Sequence, residues 1–141
     1  MNHKNNITLT LIKPNAVRNG HTAPILAKIH EAGFRISAMK FIQLRIEQAE
    51  LFYKEHKGKP FYDGLIEFMT SGPIVAAIIE KENAVEEYRK VLGPTDPKKA
   101  PPGTLRHLFG TELPANAVHG SDTDEAAEME ANFFFSAFER Y

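Results

Sequence analysis

Six consecutive apolar residues at positions 74–79 constrain the fold of this chain more than any other feature. An unbroken apolar run of this length, preceded by the turn residues Ser71, Gly72 and Pro73, is typical of a β-strand buried on both faces. Even with Pro73 included, the run is far too short to cross a lipid bilayer. The chain therefore has to provide neighbouring strands for this segment and apolar cover for both of its faces.

Two further segments are predicted to be strands, and one short apolar pair is a candidate for the last strand. Residues 7–12 alternate in polarity and are rich in β-branched side chains, which is typical of a strand. The sequence Lys13-Pro14-Asn15 ends it, because proline cannot donate a hydrogen bond to a sheet. Residues 34–44 are rich in apolar side chains, and Ala117-Val118 is the short pair.

Helical spacing of apolar residues predicts five helices. They cover residues 21–32, 47–56, 61–69, a segment that follows Asn83, and about 124–135. In the second of these helices, Leu51 and Phe52 are predicted to face inward. Gly33 is suited to the C-terminal end of the first helix, and Asn83 with Glu86 has the spacing of a capping box. Residues 93–116 lack periodicity and are rich in proline and glycine, which predicts an ordered loop.

The order of these elements favours a ferredoxin-like α+β fold, in which helices pack on an antiparallel sheet. A small doubly wound parallel sheet is the alternative, and the number of strands favours the former. The chain has 141 residues, which fits one domain of ordinary size. We therefore predict a single domain over residues 1–141.

Composition excludes several classes of protein. The chain has no cysteine, so it has neither disulfides nor thiolate metal sites. Its net charge is −1, which argues against a dedicated nucleic-acid-binding protein but allows a local basic cleft. Residues 1–6 are polar and contain no signal-peptide core, so we predict a cytoplasmic protein with no membrane association.

His119 differs from the other histidines by its surroundings, Asn116-Ala-Val-His-Gly-Ser-Asp122; the others are His3, His21, His30, His56 and His107. Gly120 lets the backbone turn sharply or approach a ligand closely. Ser121, or Asp122 with Glu125, is predicted to cap the final helix. His119 would then lie just before a helix N-terminus, where free amides and the helix dipole favour phosphate.

Glu130 is predicted to face the same region. Ala126, Met129 and Phe133 have the spacing of a buried stripe on the final helix, and Glu130 falls on that stripe. An inward carboxylate needs a partner. If one nitrogen of the His119 ring donates to Glu130, the other is left as a nucleophile. A Glu130 at the edge of the stripe that reaches water is the alternative, and the spacing alone does not decide between them.

Several other side chains are suited to a phosphate site. Arg89 and Arg106 offer forked donors and Lys13 a point charge for phosphate oxygens, and Thr95 lies in the loop near them. The alternative for each of these charged side chains is that it is a solvated surface residue with no part in a phosphate site. A metal held by His119, Asp122 and Glu125 is disfavoured, because the two carboxylates are better explained as helix caps.

Two aromatic residues are ambiguous. Phe61 follows Pro60 at a predicted helix start, and a phenylalanine is more often a core residue than a platform for a ligand. The Tyr53 hydroxyl could serve a site, or the residue could lie in an interface. The spacing of the sequence does not decide between these two interpretations for either residue.

Together, these motifs resemble the nucleoside diphosphate kinase family, in its short bacterial form. The resemblance is carried by Leu11-Ile-Lys-Pro14, Lys59-Pro60-Phe61, Ser71-Gly-Pro73 and the segment around His119, which occur in the family's order over nearly the whole chain. Membership implies a ferredoxin-like fold and transfer of the γ-phosphate from a nucleoside triphosphate such as ATP to a nucleoside diphosphate. The reaction would be ping-pong, through phosphorylated His119.

The resemblance also implies roles for particular residues. His119 would attack through Nδ1, and Glu130 would hold its Nε2–H, with Tyr53 and Ser121 in support. The residues that would contact the phosphates are Lys13, Arg89, Thr95 and Arg106. Asn116 and Lys13 would contact the sugar, and Phe61, with Leu65 beneath it, would stack on the base. Mg²⁺ would be carried mainly by the nucleotide phosphates, with no metal site built from the protein.

A homo-oligomer is implied as well, with residues 93–116 taking part in assembly; we favour a tetramer over a hexamer or a dimer. A nucleotide-binding scaffold with no turnover is the main alternative function. Such a protein would be expected to have lost one of His119, Lys13, Arg106 or Glu130, and all four are present.

Overall fold

An antiparallel sheet of four strands, in the order β2-β3-β1-β4, forms the centre of the structure. The computed structural model describes residues 6–141, so the polar residues 1–5 lie outside it. The strands are β1 (Ile7–Ile12), β2 (Arg35–Ile42), β3 (Ile74–Glu80) and β4 (Val118–Gly120). All three strand pairings are antiparallel. The predicted ferredoxin-like α+β fold is confirmed, and the parallel alternative is excluded.

Seven α-helices surround this sheet in the described residues. They are α1 (Pro14–Arg18), α2 (Thr22–Glu31), α3 (Ile46–Phe52), α4 (Tyr62–Met69), α5 (Ala84–Leu92), α6 (Leu105–Phe109) and α7 (Asp124–Phe134). Short 3₁₀ turns lie at Lys54–His56 after α3, at Pro97–Lys99 after α5 and at Ala137–Glu139 after α7. The described part of the chain contains no helix long and apolar enough to span a membrane.

Strand β3 lies between two hydrophobic clusters, as its unbroken apolar sequence predicted. Ile74, Ala76 and Ile78 point into a cluster that includes residues of α3, α4 and α7. Val75 and Ala77 point into a second cluster on the opposite face, with residues of α2, α5 and α6. All six residues at positions 74–79 are buried. Both faces of the central strands are therefore covered by helices.

Helices α1 and α6 were not predicted, although the sequence carries a signal for each. Pro14 is the first residue of α1, a position that proline favours because its missing N–H is not needed there. The Thr104 hydroxyl caps α6 by accepting from the His107 amide, 3.3 Å away. The segment 93–116 is thus ordered, as predicted, but it is not entirely a loop.

Several local predictions differ from the structure. Asn83 lies at the N-cap position of α5, as predicted, but its backbone is left-handed, with φ of 57°, and its side chain donates to the Glu86 carboxylate instead of capping the helix. Leu51, predicted to face inward, is 58% exposed. The last strand begins at Val118 and extends through His119 to Gly120, so it lies further along the chain than the predicted pair. Gly33, by contrast, has the positive φ of 95° expected after a helix end.

Candidate active site

His119 lies on strand β4, not in the turn before the final helix. It pairs with Leu11 of β1, and Val118 and Gly120 pair with Ile12 and Thr10 on either side. The histidine backbone is therefore fixed by the sheet. Its ring is partly buried, with 20% of the side chain exposed.

Gly120 is required here for its small size. A Cβ at this position would lie 2.6 Å from Leu92 Cδ1 and 3.0 Å from Tyr88 Cδ2 of α5. Tyr88 cannot easily move, because it is buried and its hydroxyl forms a 2.7 Å hydrogen bond with Thr10 of β1. Gly120 therefore brings β4 close to α5, whereas the sequence had suggested a sharp turn or a close approach to a ligand.

We expect Gly120→Ala to lower the free energy of unfolding by about 1–3 kcal/mol, because the added methyl group overpacks the contact with α5. Gly64→Ala is the matched control, since no atom lies within 4 Å of the Cβ it would add. That control should leave stability unchanged or raise it by up to about 1 kcal/mol, because alanine favours a helix. Urea denaturation measures both, and equal stability of the two variants would contradict the packing role.

A chain of hydrogen bonds joins the His119 ring to the backbone of β1. His119 Nε2 lies 2.8 Å from Glu130 Oε1. The Ser121 hydroxyl donates to the same oxygen at 2.8 Å and accepts from the Leu9 amide at 3.2 Å. A carboxylate placed between these two groups accepts from both, so the neutral tautomer that fits this geometry has its proton on Nε2 and the lone pair on Nδ1.

The buried face of α7 differs from the predicted one. Ala127, Ala131 and Phe134 are buried, whereas Met129 is 58% exposed. The predicted stripe of Ala126, Met129 and Phe133, with Glu130, instead lines a cleft beside His119. Glu130 thus meets His119 from the cleft side of the helix.

The helix cap was also assigned to the wrong residue. The Thr123 hydroxyl caps α7 by accepting from the Ala126 amide at 3.0 Å. Ser121 is committed to Glu130, and Asp122 forms a 3.2 Å ion pair with Arg89. The predicted caps therefore have other partners.

Lys13 reaches the cleft from the end of β1. Its ammonium donates to Asn116 Oδ1 at 2.6 Å and to the Pro114 carbonyl at 3.4 Å. The side chain amide of Asn116 donates in turn to the Thr95 carbonyl at 2.9 Å. Burial, and then the positive charge of Arg106, lowers the pKa of Lys13 to about 7.

Arg106 is held by main-chain carbonyls. Its guanidinium donates to Gly93 and to Val118, each at 3.0 Å. Burial lowers the pKa of Arg106, with the charge of Arg89 as a smaller cause. Arg89 is more exposed, and Asp122 is its ion-pair partner. Two arginines and Lys13 thus concentrate positive charge in one cleft.

Aromatic side chains form another wall of the cleft. Phe61 is 53% exposed, and its ring lies 5.3 Å from the His56 ring in an edge-to-face arrangement. Leu65 lies one helical turn beyond Phe61. Tyr53 is buried, and its hydroxyl has no hydrogen-bond partner. Burial, followed by the charge of Glu130, raises the pKa of the Tyr53 hydroxyl.

The structure brings the predicted site residues together. The cleft is lined by Lys13, Tyr53, Phe61, Leu65, Arg89, Thr95, Arg106, Asn116, His119 and Glu130. Ser121 lies behind the cleft, 1% exposed, against Glu130. Phe52 and His56 also line the cleft, although neither is among the site residues predicted from the sequence. The close spacing of Phe52, Tyr53 and His56 is the signal that could have found them.

Residues 6–141 contain no group of three or more histidine, aspartate or glutamate side chains placed to hold a metal ion. Phosphate oxygens are suitable ligands for a hard cation such as Mg²⁺.

On this antiparallel sheet covered by helices, the histidine–carboxylate pair provides a nucleophile or base, and the basic cleft provides the positive charge that phosphoryl transfer requires. Comparison with known proteins identifies the family of enzymes to which the chain belongs. The sequence profile described as nucleoside diphosphate kinase matches residues 6–140. The chain therefore belongs to the nucleoside diphosphate kinase family, which is a family of enzymes.

Individual relatives agree with this assignment. The chain is 49% identical to a nucleoside diphosphate kinase of Flavobacterium psychrophilum over 136 residues, which cover 96% of this chain and 98% of the relative. A crystal structure of the Aquifex aeolicus nucleoside diphosphate kinase superposes with a TM-score of 0.93 at 40% identity, covering 96% of this chain and 98% of the other. The Halobacterium salinarum enzyme, solved in complex with CDP, also gives 0.93, at 36% identity and coverage of 97% and 91%.

Proposed function

We propose that this nucleoside diphosphate kinase works by a ping-pong mechanism, in which His119 carries the phosphoryl group between two nucleotides. The observation that supports this most directly is the 2.8 Å contact between His119 Nε2 and Glu130, which leaves Nδ1 as the free nitrogen of the ring. A nitrogen with an available lone pair in a basic cleft is a suitable nucleophile. One cleft then serves donor and acceptor in turn.

In the first half-reaction, the Nδ1 lone pair forms a bond to the γ-phosphorus of the nucleoside triphosphate. The bond from that phosphorus to the oxygen bridging the β- and γ-phosphates breaks, and its electron pair leaves with the nucleoside diphosphate. Glu130 keeps the proton on Nε2 and stabilises the positive charge that develops on the ring. In the second half-reaction, a terminal phosphate oxygen of another diphosphate forms a bond to the phosphorus on His119, and the bond from that phosphorus to Nδ1 breaks with its electron pair returning to Nδ1.

The cationic residues stabilise the negative charge spread over the transferring group. We assign contacts with the phosphates to Lys13, Arg89, Arg106 and Thr95, all of which line the cleft. Mg²⁺, when bound, would be held mainly by the nucleotide phosphates and would neutralise part of their negative charge. No described residue has to form a metal cage for this arrangement.

Contacts with the sugar and with the base are assigned to different residues of the cleft wall. The 2.6 Å hydrogen bond between Lys13 and Asn116 supports their joint contact with sugar hydroxyls. The exposed ring of Phe61, with Leu65 beside it, provides a platform on which a base can stack. Stacking is available to any base, so we propose broad base specificity.

Initial rates with ATP as donor test this function. Varying ATP at several fixed concentrations of GDP, CDP or UDP should give parallel reciprocal plots, because each half-reaction involves one nucleotide only. Acceptors should differ in kcat/KM by no more than about tenfold, because stacking discriminates weakly among bases. Converging plots would contradict the ping-pong mechanism, and a single preferred acceptor would contradict the proposed role of Phe61.

Lys13 makes nucleotide binding sensitive to pH. With a pKa of about 7, it is mostly neutral at pH 8 in the free protein, and nearby phosphates raise its pKa. Binding of ADP at pH 8 should therefore take up about one proton, and at pH 6 much less. Calorimetric titration in buffers of different ionisation enthalpy measures this uptake. Lys13→Met should remove it, and unchanged uptake in that variant would assign the proton to another group.

The oligomeric state and the cellular location of the protein remain predictions. Leu108 and Leu113 are exposed apolar side chains in the segment 93–116, which supports a role for that segment in a homo-oligomer. We propose a tetramer, which a mass measured in solution would distinguish from a hexamer or dimer. We likewise retain the cytoplasmic location predicted from the sequence.

A further inference from the structure

The phenyl ring of Phe52 packs directly against the imidazole ring of His119. The two ring centroids lie 5.7 Å apart, and the planes meet at 74°. Edge-to-face contact at this distance is a favoured arrangement of aromatic rings. Phe52 is the last residue of α3, so it approaches the histidine from an element separate from both β4 and α7.

Phe52 is itself fixed by three other rings. Its centroid lies 4.9 Å from Tyr53, 5.3 Å from Phe133 and 5.3 Å from Phe134. Tyr53 and Phe134 are buried, and Phe133 and Phe134 belong to α7, the helix that carries Glu130. Phe52 therefore presents a rigid surface to His119.

The hydrogen bond to Glu130 does not by itself fix the His119 ring. It restrains Nε2, at the far end of the side chain. Rocking of the ring about the line from Cβ to Nε2 hardly changes that distance, but it swings Nδ1 out of position. Contact with Phe52 opposes this rocking, so the two restraints are complementary.

We propose that Phe52 is a positioning residue, which holds the plane of the His119 ring so that the Nδ1 lone pair points at the phosphorus it attacks. This proposal rests on the proposed function of His119. In-line transfer depends on the alignment of the attacking atom, and small misplacements slow such reactions substantially. Phe52 acts through the histidine and takes no part in the bond changes.

Single-turnover formation of the phosphoenzyme tests this role. Phe52→Leu should lower the maximal rate about three- to tenfold, the range expected for loss of one aromatic pair. The nucleotide concentration that gives half of the maximal rate should not change. Phe52→Tyr keeps an aromatic ring at this position and should retain most of the wild-type rate. If Phe52→Leu does not fold, Phe52→Met supplies the comparison, because methionine adapts to irregular space.

Phe68→Leu is the matched control, because Phe68 of α4 packs on the same hydrophobic cluster as Phe52 but lies outside the cleft. It should leave the phosphorylation rate near that of the wild type. Equal slowing by Phe68→Leu and Phe52→Leu would assign Phe52 to general stability and overturn the proposal, as would a wild-type rate in Phe52→Leu.

NMR relaxation of the His119 ring separates this proposal from the proposed function. The ring should have a lower order parameter in Phe52→Leu than in the wild type, whether or not the protein turns over. An unchanged order parameter would overturn the positioning role. A wild-type protein that forms no phosphohistidine would overturn the proposed function instead.

Discussion

Substitution of His119 by alanine should abolish phosphorylation of the protein by radiolabelled ATP and Mg²⁺. The wild type should carry the label on a bond that is labile in acid and stable in base, as expected for phosphohistidine, and any nucleoside diphosphate should discharge it. Removal of the proposed nucleophile should also lower kcat by at least about 10⁴-fold. Gel autoradiography and a coupled assay measure the two effects.

The control for this substitution is His30→Ala. His30 is exposed on α2 and lies outside the cleft around His119, so its loss should leave labelling and turnover at the wild-type level. Labelling that survives His119→Ala would contradict the assignment of the nucleophile. Labelling that is lost in both variants would trace the effect to folding instead.

Removal of the Glu130 carboxylate should slow phosphorylation far more than it weakens nucleotide binding. In Glu130→Ala, His119 Nε2 and the Ser121 hydroxyl lose their common acceptor. The ring then loses its restraint at Nε2 and can carry its proton on Nδ1, and a protonated Nδ1 cannot attack. We expect kcat to fall roughly 100-fold, while the dissociation constant for ADP changes little.

Glu128→Ala provides the comparison, since Glu128 is an exposed carboxylate on the same helix that does not line the cleft. Rapid-quench kinetics and calorimetric binding of ADP separate the two quantities for each variant. An equal loss of rate and affinity in Glu130→Ala would argue against its orienting role. A rate loss in Glu128→Ala of similar size would point to a general effect of charge on α7.

Prediction from sequence succeeded where structure follows from local pattern. The strand at 74–79 is buried on both faces because every residue in it is apolar. The spacing around Gly33 correctly placed the end of α2. Prediction failed for α7, where apolar residues occur on more than one side of the helix. The spacing therefore predicts that Met129 and Phe133 lie in the core, whereas Ala127 and Ala131 are the residues buried there.

The sequence by itself determined the antiparallel α+β fold and, through the family motifs, which residues to examine. Tertiary structure alone decided how they meet. Lys13 contacts Asn116 across 103 positions of the chain, and Leu9 holds Ser121 across 112. The contact of Phe52 with His119 depends on how α3 packs beside β4. Periodicity is encoded in neighbouring residues, whereas such contacts depend on the packing of whole elements, which no local pattern contains.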